Sequence, residues 1–206
     1  MSAAVLDKTD YDVLDVVALK KMATTSVIAA ASGVAADRVD AVLEDLVGRG
    51  LVVVAGGSAL PTDEAEPALA AAAAEHYAQL RADDEVLGLV DRFETTNAQF
   101  LVAMSSWQQI DVGGRKVTND HTDPDYDDKV IARLEKLIAK LTGLLDALAG
   151  HDPRFGLYPQ RFEAAIGFVD QGRHEYVSSP TIDSVHNIWF EFHEDLLRTL
   201  GRERTE

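Results

Sequence analysis

Two stretches of this chain place imidazole, carboxylate and aromatic side chains close together, a combination suited to moving a proton on a ring-shaped ligand. The first is TIDSVHNIWFEFHEDLLRTLGRERTE at the end of the chain. Read as a helix, it sets Asp183, His186, Phe190, His193 and Leu197 at spacings of three and four, on one face. A histidine near its ordinary pKa is the usual general base at neutral pH, and a carboxylate beside it fixes its orientation. The second stretch, 111–127, reads as a polar loop carrying Asn119, Asp120, His121, Asp123 and Asp127. A third segment, 92–108, adds Glu94, Asn97, Gln99 and Trp107. The expectation is one pocket, with the region near residue 120 folded over the imidazole side of the last helix. His186 or His121 serves as base and Asp183 or Asp120 as its orienter. Trp107, Asn119, Trp189, Phe190, His193 and Asn97 line the pocket. The plainer alternative is a core-facing helix whose histidines are hydrogen-bonded and inert.

Other chemistries are weaker. His186 and His193 are seven residues apart, roughly 10 Å along a helix at about 1.5 Å per residue, too far to share one ion. Asp120, His121 and Asp123 do not have the spacing of a calcium-binding loop. No metal site is expected. There is no cysteine, so a thiolate nucleophile, a disulfide and a Cys-based zinc site are excluded. The sequence has no P-loop, no dinucleotide-binding glycine fingerprint and no nucleophile elbow. Arg198, Arg202 and Arg204 are the densest positive charge. They read either as compensation of a helix C-terminus or as a clamp for a phosphoryl group.

Helices must position these residues. The apolar spacing predicts a helix over 11–23, a short one after Thr25 ending at Gly33, and a third over 35–49 followed by Gly50. Leu51 to Val54 and Ala59-Leu60 then read as a small hairpin turning at Gly56-Gly57. Beyond Thr62, helices are expected over about 64–82, 84–109, 126–149 and 159–171. A last one runs from a Thr181 cap to near Leu200. The fold class is mainly α: an N-terminal winged helix-turn-helix with a small β-hairpin (1–62), followed by a helical substrate- or partner-binding domain (63–206).

Charge argues against nucleic acid. The formal net charge is −16, and residues 1–60 hold 5 Lys and Arg against 8 Asp and Glu. The first turns of the third helix carry Asp37, Arg38 and Asp40, and the hairpin tip AGGSA has no basic residue. A groove lined by phosphates disfavours such a surface, so DNA is not the expected partner. No apolar run approaches the ~20 residues that span a bilayer, and the first residues lack the pattern of a secretory signal. A cytoplasmic address is expected.

The stretch VIAAASGVAADRVDAVLEDLVGRGLVVV resembles bacterial winged-helix regulators of the MarR and ArsR type, over roughly residues 10–62. The wider pattern WQ…NDHTDP-YD…PTIDSVHNIWFEFHEDLLRTLGRER is similar to a segment of actinobacterial winged-helix proteins, over about 10–206. Some of those are labelled MarR-like. Others accompany phosphoenolpyruvate-synthase-like phosphotransferases that act on phenolic compounds. The resemblance implies a partner with an ATP-grasp unit and a phosphohistidine domain, which binds ATP and Mg, while this chain binds no cofactor. It implies a small aromatic hydroxyl substrate, such as a hydroxyphenyl ketone, with Arg198 and Arg202 meeting the phosphoryl group. Two further roles stand beside it: a transcriptional regulator with a helical effector domain, and a non-catalytic scaffold that forms a homo-oligomer.

Overall fold

The computed structural model describes residues 5–202. The chain is mainly helical with two small antiparallel hairpins. It divides into two compact units, Met1–Asp83 with Phe190–Glu206, and Asp84–Trp189.

The first unit opens with α1 (Lys8–Lys20), α2 (Thr25–Ser32) and α3 (Ala36–Gly48). Helix α1 begins three residues before the apolar stripe that announces it, because the Asp7 side chain accepts a hydrogen bond from the Asp10 N–H at 2.9 Å and caps the first turn. It stops at Lys21, which takes the left-handed conformation. Helix α2 has Thr24, not Thr25, at its N-cap position and ends at Gly33, also left-handed, whose N–H bonds the Ala29 carbonyl. Helix α3 buries Val39, Val42, Leu43 and Leu46 and exposes Asp37, Arg38, Asp40, Glu44 and Asp45. Strands β1 (Val52–Ala55) and β2 (Ser58–Pro61) pair with Val53 opposite Leu60. Gly56 and Gly57 both have positive φ, the requirement of the two-residue turn whose twist suits a hairpin. Ala23, between α1 and α2, adds a bridge to Ala59, exchanging N–H···O bonds of 3.0 and 2.8 Å. Helix α4 (Ala65–His76) is shorter than the sequence suggests, because the chain tightens into a 3₁₀ turn at Leu80–Ala82. Tyr11, Leu14, Ile28, Leu46 and Leu69 form the centre of this unit's core.

The second unit is built on α5 (Asp84–Gln108) and α6 (Pro124–Ala149). The segment expected as a polar loop between them is largely a hairpin, β3 (Gln109–Val112) with β4 (Arg115–Thr118). The expectation missed it because only two of its residues, Val112 and Val117, are large exposed apolar groups and no face of it is buried. Its turn is Gly113-Gly114, both at positive φ, and the Asp111 carboxylate accepts the Gly114 N–H at 2.8 Å. Helix α6 starts two residues earlier than its stripe: Asp123 accepts the Tyr126 N–H and Pro124 occupies the first turn. Helix α7 (Leu157–Val169) follows, and a short α8 (Glu175–Ser178) lies where a loop is expected. Helix α9 (Val185–Leu200) begins four residues beyond Thr181. Its cap is Ser184, whose Oγ accepts the Asn187 N–H at 3.2 Å, while the Asn187 amide donates to the Ser179 and Ile182 carbonyls. Its residues up to Trp189 belong to this unit, and those from Phe190 to the first. Among the described residues no helix is long and apolar enough to cross a membrane.

Candidate functional site

The second unit gathers the sequence-singled residues into two clusters, at different levels of α5. One surrounds Trp189. Its indole N–H donates to the Asn97 side-chain oxygen at 3.0 Å, and its ring stacks on Phe100, centroids 3.9 Å apart and planes within 1°. Phe93 and Phe162 meet it at 6.0 and 6.2 Å. Trp189 is 2% exposed and Phe100 1%. The ring stack fills the space a ligand ring needs, so Asn97 and Trp189 come together as core. His186 lies on the rim, its ring 6.4 Å from Phe100, and burial holds its pKa below the ordinary imidazole value. The Asp183 carboxylate accepts from Arg161 Nε at 3.0 Å.

The other cluster sits at the C-terminal end of α5. Trp107 is seven residues beyond Phe100, roughly 10 Å along the axis at about 1.5 Å per residue. The residues expected in a single pocket thus fall into two centres, one around Trp189 and one around Trp107. In this second centre the carboxylate of Asp127 is nearly fully buried. Its Oδ2 accepts from His121 Nδ1 at 2.9 Å and its Oδ1 from Asn119 Nδ2 at 2.9 Å. The Asn119 amide also donates to the Trp107 carbonyl at 3.1 Å, while its oxygen accepts the His121 N–H at 3.1 Å. The His121 ring lies over the Trp107 indole, centroids 4.3 Å apart. His121 has φ 57°, a left-handed backbone uncommon outside Gly, in which Asn, Asp and His are the enriched exceptions. The bond from its backbone N–H to the Asn119 oxygen and the contact of Nδ1 with Asp127 hold that conformation in place.

His121 Nδ1 lies 2.9 Å from Asp127 Oδ2 and 3.2 Å from Asn119 Nδ2, so the donor at this nitrogen depends on the tautomer: an ionised Asp127 accepts from an Nδ1–H, and the neutral ring then has its acceptor at Nε2. The side chain of His121 is 38% exposed while that of Asp127 is 3% exposed. The arrangement is a buried carboxylate bonded to a half-exposed imidazole. The carboxylate bonded to His121 is that of Asp127; Asp120 is exposed and accepts from Thr122 N and Oγ1, bonds that pull its carboxyl below the ordinary value. His174 meets the Trp107 ring edge-on at 5.9 Å. It also lines an open cleft of about 340 Å³ with Ile131, Ala132, Val169, Asp128, Glu135 and Asp170, a lining that does not include His121.

The remaining expected site residues belong to the first unit. His193 is buried and Phe190 exposed. Arg198 is held by carboxylates: Nη1 donates to Asp15, while Nε and Nη2 form a two-pronged contact with Glu66 at 3.2 and 3.0 Å. Burial opposes its charge, but Asp15 and Glu66 outweigh that and raise its pKa further. So engaged, the Arg198 guanidinium braces the first unit. Arg202 is exposed beyond the helix end, its N–H bonded to the Leu197 carbonyl. Arg204 lies outside the described residues. Among the described residues no group of three or more His, Asp or Glu side chains is arranged to hold a metal ion.

No protein-family model matches the chain, and neither does any curated protein or solved structure.

Proposed function

We propose that the second unit binds a small aromatic hydroxyl compound and that His121 Nε2 takes the hydroxyl proton, with Asp127 and Asn119 holding the ring in place. The observation that carries this reading is the bonding of His121 Nδ1 to a buried carboxylate, which leaves Nε2 as the acceptor. A phenol is a fitting donor: its hydroxyl supplies one proton to one acceptor, and the cleft beside the site, reached from His121 through Trp107 and His174, has apolar lining in Ile131, Ala132 and Val169. The cleft volume is at the small end for ligand sites, which favours one ring over a nucleotide.

In this reading the chain is the substrate-binding subunit of an ATP-dependent phosphotransferase. A partner with an ATP-grasp unit and a phosphohistidine domain binds ATP and Mg and delivers the phosphoryl group. Removing the phenolic proton as the oxygen attacks phosphorus is the contribution of His121, and positioning supplies most of the remaining catalysis in such transfers. The phosphoryl-contacting group comes from the partner, since Arg198 is committed to Asp15 and Glu66. The test is binding of 4-hydroxyacetophenone by calorimetry, followed by ATP-dependent phosphorylation with the candidate partner. His121→Ala is expected to lower phosphorylation by roughly 10²–10⁴-fold, the usual contribution of a general base. Equal rates with the variant, or no dependence on this chain, refute the reading.

The topology of α1, α2, α3 and the β1–β2 hairpin, with the Ala23–Ala59 bridge, supports reading the first unit as a winged helix-turn-helix. Its would-be recognition helix is α3, whose exposed face carries four carboxylates to one arginine. That surface favours a protein partner over DNA.

A further inference from the structure

The β3–β4 hairpin has no buried residue: 111–118 are all exposed, and Ile110 is only partly covered. A two-stranded ribbon of this kind is marginal alone in water. Its register places Ile110 opposite Val117 and Val112 opposite Arg115, so one face carries three apolar side chains and a guanidinium. Val112 is 58% exposed and Val117 42%. In the first unit, α3 and the β1–β2 hairpin frame an open groove of about 630 Å³. Leu43, Val47 and Val54 make it apolar, and Asp40 and Glu44 give it negative charge. Val47 and Val54 are 43% and 57% exposed. The arm and the groove are opposite in charge and alike in apolar content.

We propose that the β3–β4 arm of one copy of this chain docks in the α3 groove of a second copy, with Val112 and Val117 against Leu43, Val47 and Val54, and Arg115 beside Glu44. A chain of net charge −16 repels its own copies at long range. The contact therefore has to bring its most basic exposed apolar feature to the acidic one, and this pairing does so. Reciprocal docking closes a two-fold dimer with two such contacts, whereas one-way docking builds an open chain of copies.

Sedimentation analysis of the full chain tests this. The wild type is expected to show mass above the monomer, with association weakened by salt. Arg115→Glu and Glu44→Arg, each alone, are expected to raise the dissociation constant about tenfold or more, consistent with like-charge juxtaposition at an interface. Mixing the two variants restores association, because each arm then meets a groove of opposite charge. Circular dichroism confirms that both variants keep their helix content. A wild type that is monomeric at all concentrations overturns the proposal. So does an association that neither reversal weakens, or variants that fail to recover when mixed.

Discussion

Asp127 carries more of the candidate site than any other residue, and its neighbours explain why. It is 2% exposed, and burying a carboxylate is costly unless hydrogen bonds replace its water. Asn119 and His121 supply those bonds, so the three side chains stand or fall together. Asp127→Asn keeps the size but turns one acceptor oxygen into an NH₂ that opposes the donors around it. The expected cost is about 1–3 kcal/mol of stability, read as a shift in the chemical-denaturation midpoint, together with release of the His121 ring. An unchanged midpoint is inconsistent with the network described. The residue types of this site were legible in the sequence: His121, Asn119 and Trp107 were singled out by their density and chemistry. The pairing was not. Asp120 is His121's chain neighbour, yet the left-handed backbone at His121 and the Asp123 cap turn the first turn of α6 back on Asn119, bringing Asp127 to the ring instead. Spacing along a chain does not report such a reversal. Glycine is the usual signal for positive φ, and here a histidine holds it.

At the scale of elements, helix positions followed from apolar periodicity, and helix ends from caps that periodicity does not show. Asp7, Asp123 and Ser184 each move a boundary by a few residues. The β3–β4 hairpin escaped because alternation identifies a strand only when one face is buried. The end of α9 gives a sharp test. Gly201 has φ 64°, and a Cβ built there meets the Arg81 guanidinium at 2.8 Å. Arg81 in turn donates to the Thr199 carbonyl at 2.8 Å and, at 3.2 Å, to the Arg198 carbonyl that also accepts the Gly201 N–H, capping the helix end. Gly201→Ala therefore strains the backbone and displaces the capping arginine. A loss of about 1–2 kcal/mol is expected. In a double-mutant cycle, Arg81→Ala and Gly201→Ala should be less than additive, because the second change finds the cap already gone. Strict additivity contradicts this coupling.

At the scale of the molecule, the chain is acidic, mainly helical and divided into two units, and its histidines have unequal surroundings. Burial lowers the pKa of His186. In the unfolded chain it titrates near 6.5, so below that pH the unfolded state takes up a proton that the folded state resists. The stability this neutral histidine allows is complete above about 6.5 and is lost as pH falls through that value toward the folded pKa. Thermal unfolding measured between pH 7.5 and 5.5 should therefore fall more steeply for the wild type than for His186→Gln. Parallel pH profiles contradict the burial effect. Trp189, expected to line a pocket, lies in a packed ring stack: rings at helical spacing serve a core as readily as a ligand.

The central claim is that His121 presents an unprotonated Nε2 because Asp127 holds the proton side of its ring. Imidazole ¹⁵N spectra of the full chain at neutral pH, recorded without and with 4-hydroxyacetophenone, measure this directly. The account predicts a His121 with hydrogen on Nδ1 and a lone pair on Nε2, whose Nε2 resonance moves when the phenol is added. Hydrogen on Nε2 in the free protein, or an Nε2 resonance indifferent to saturating phenol, contradicts it.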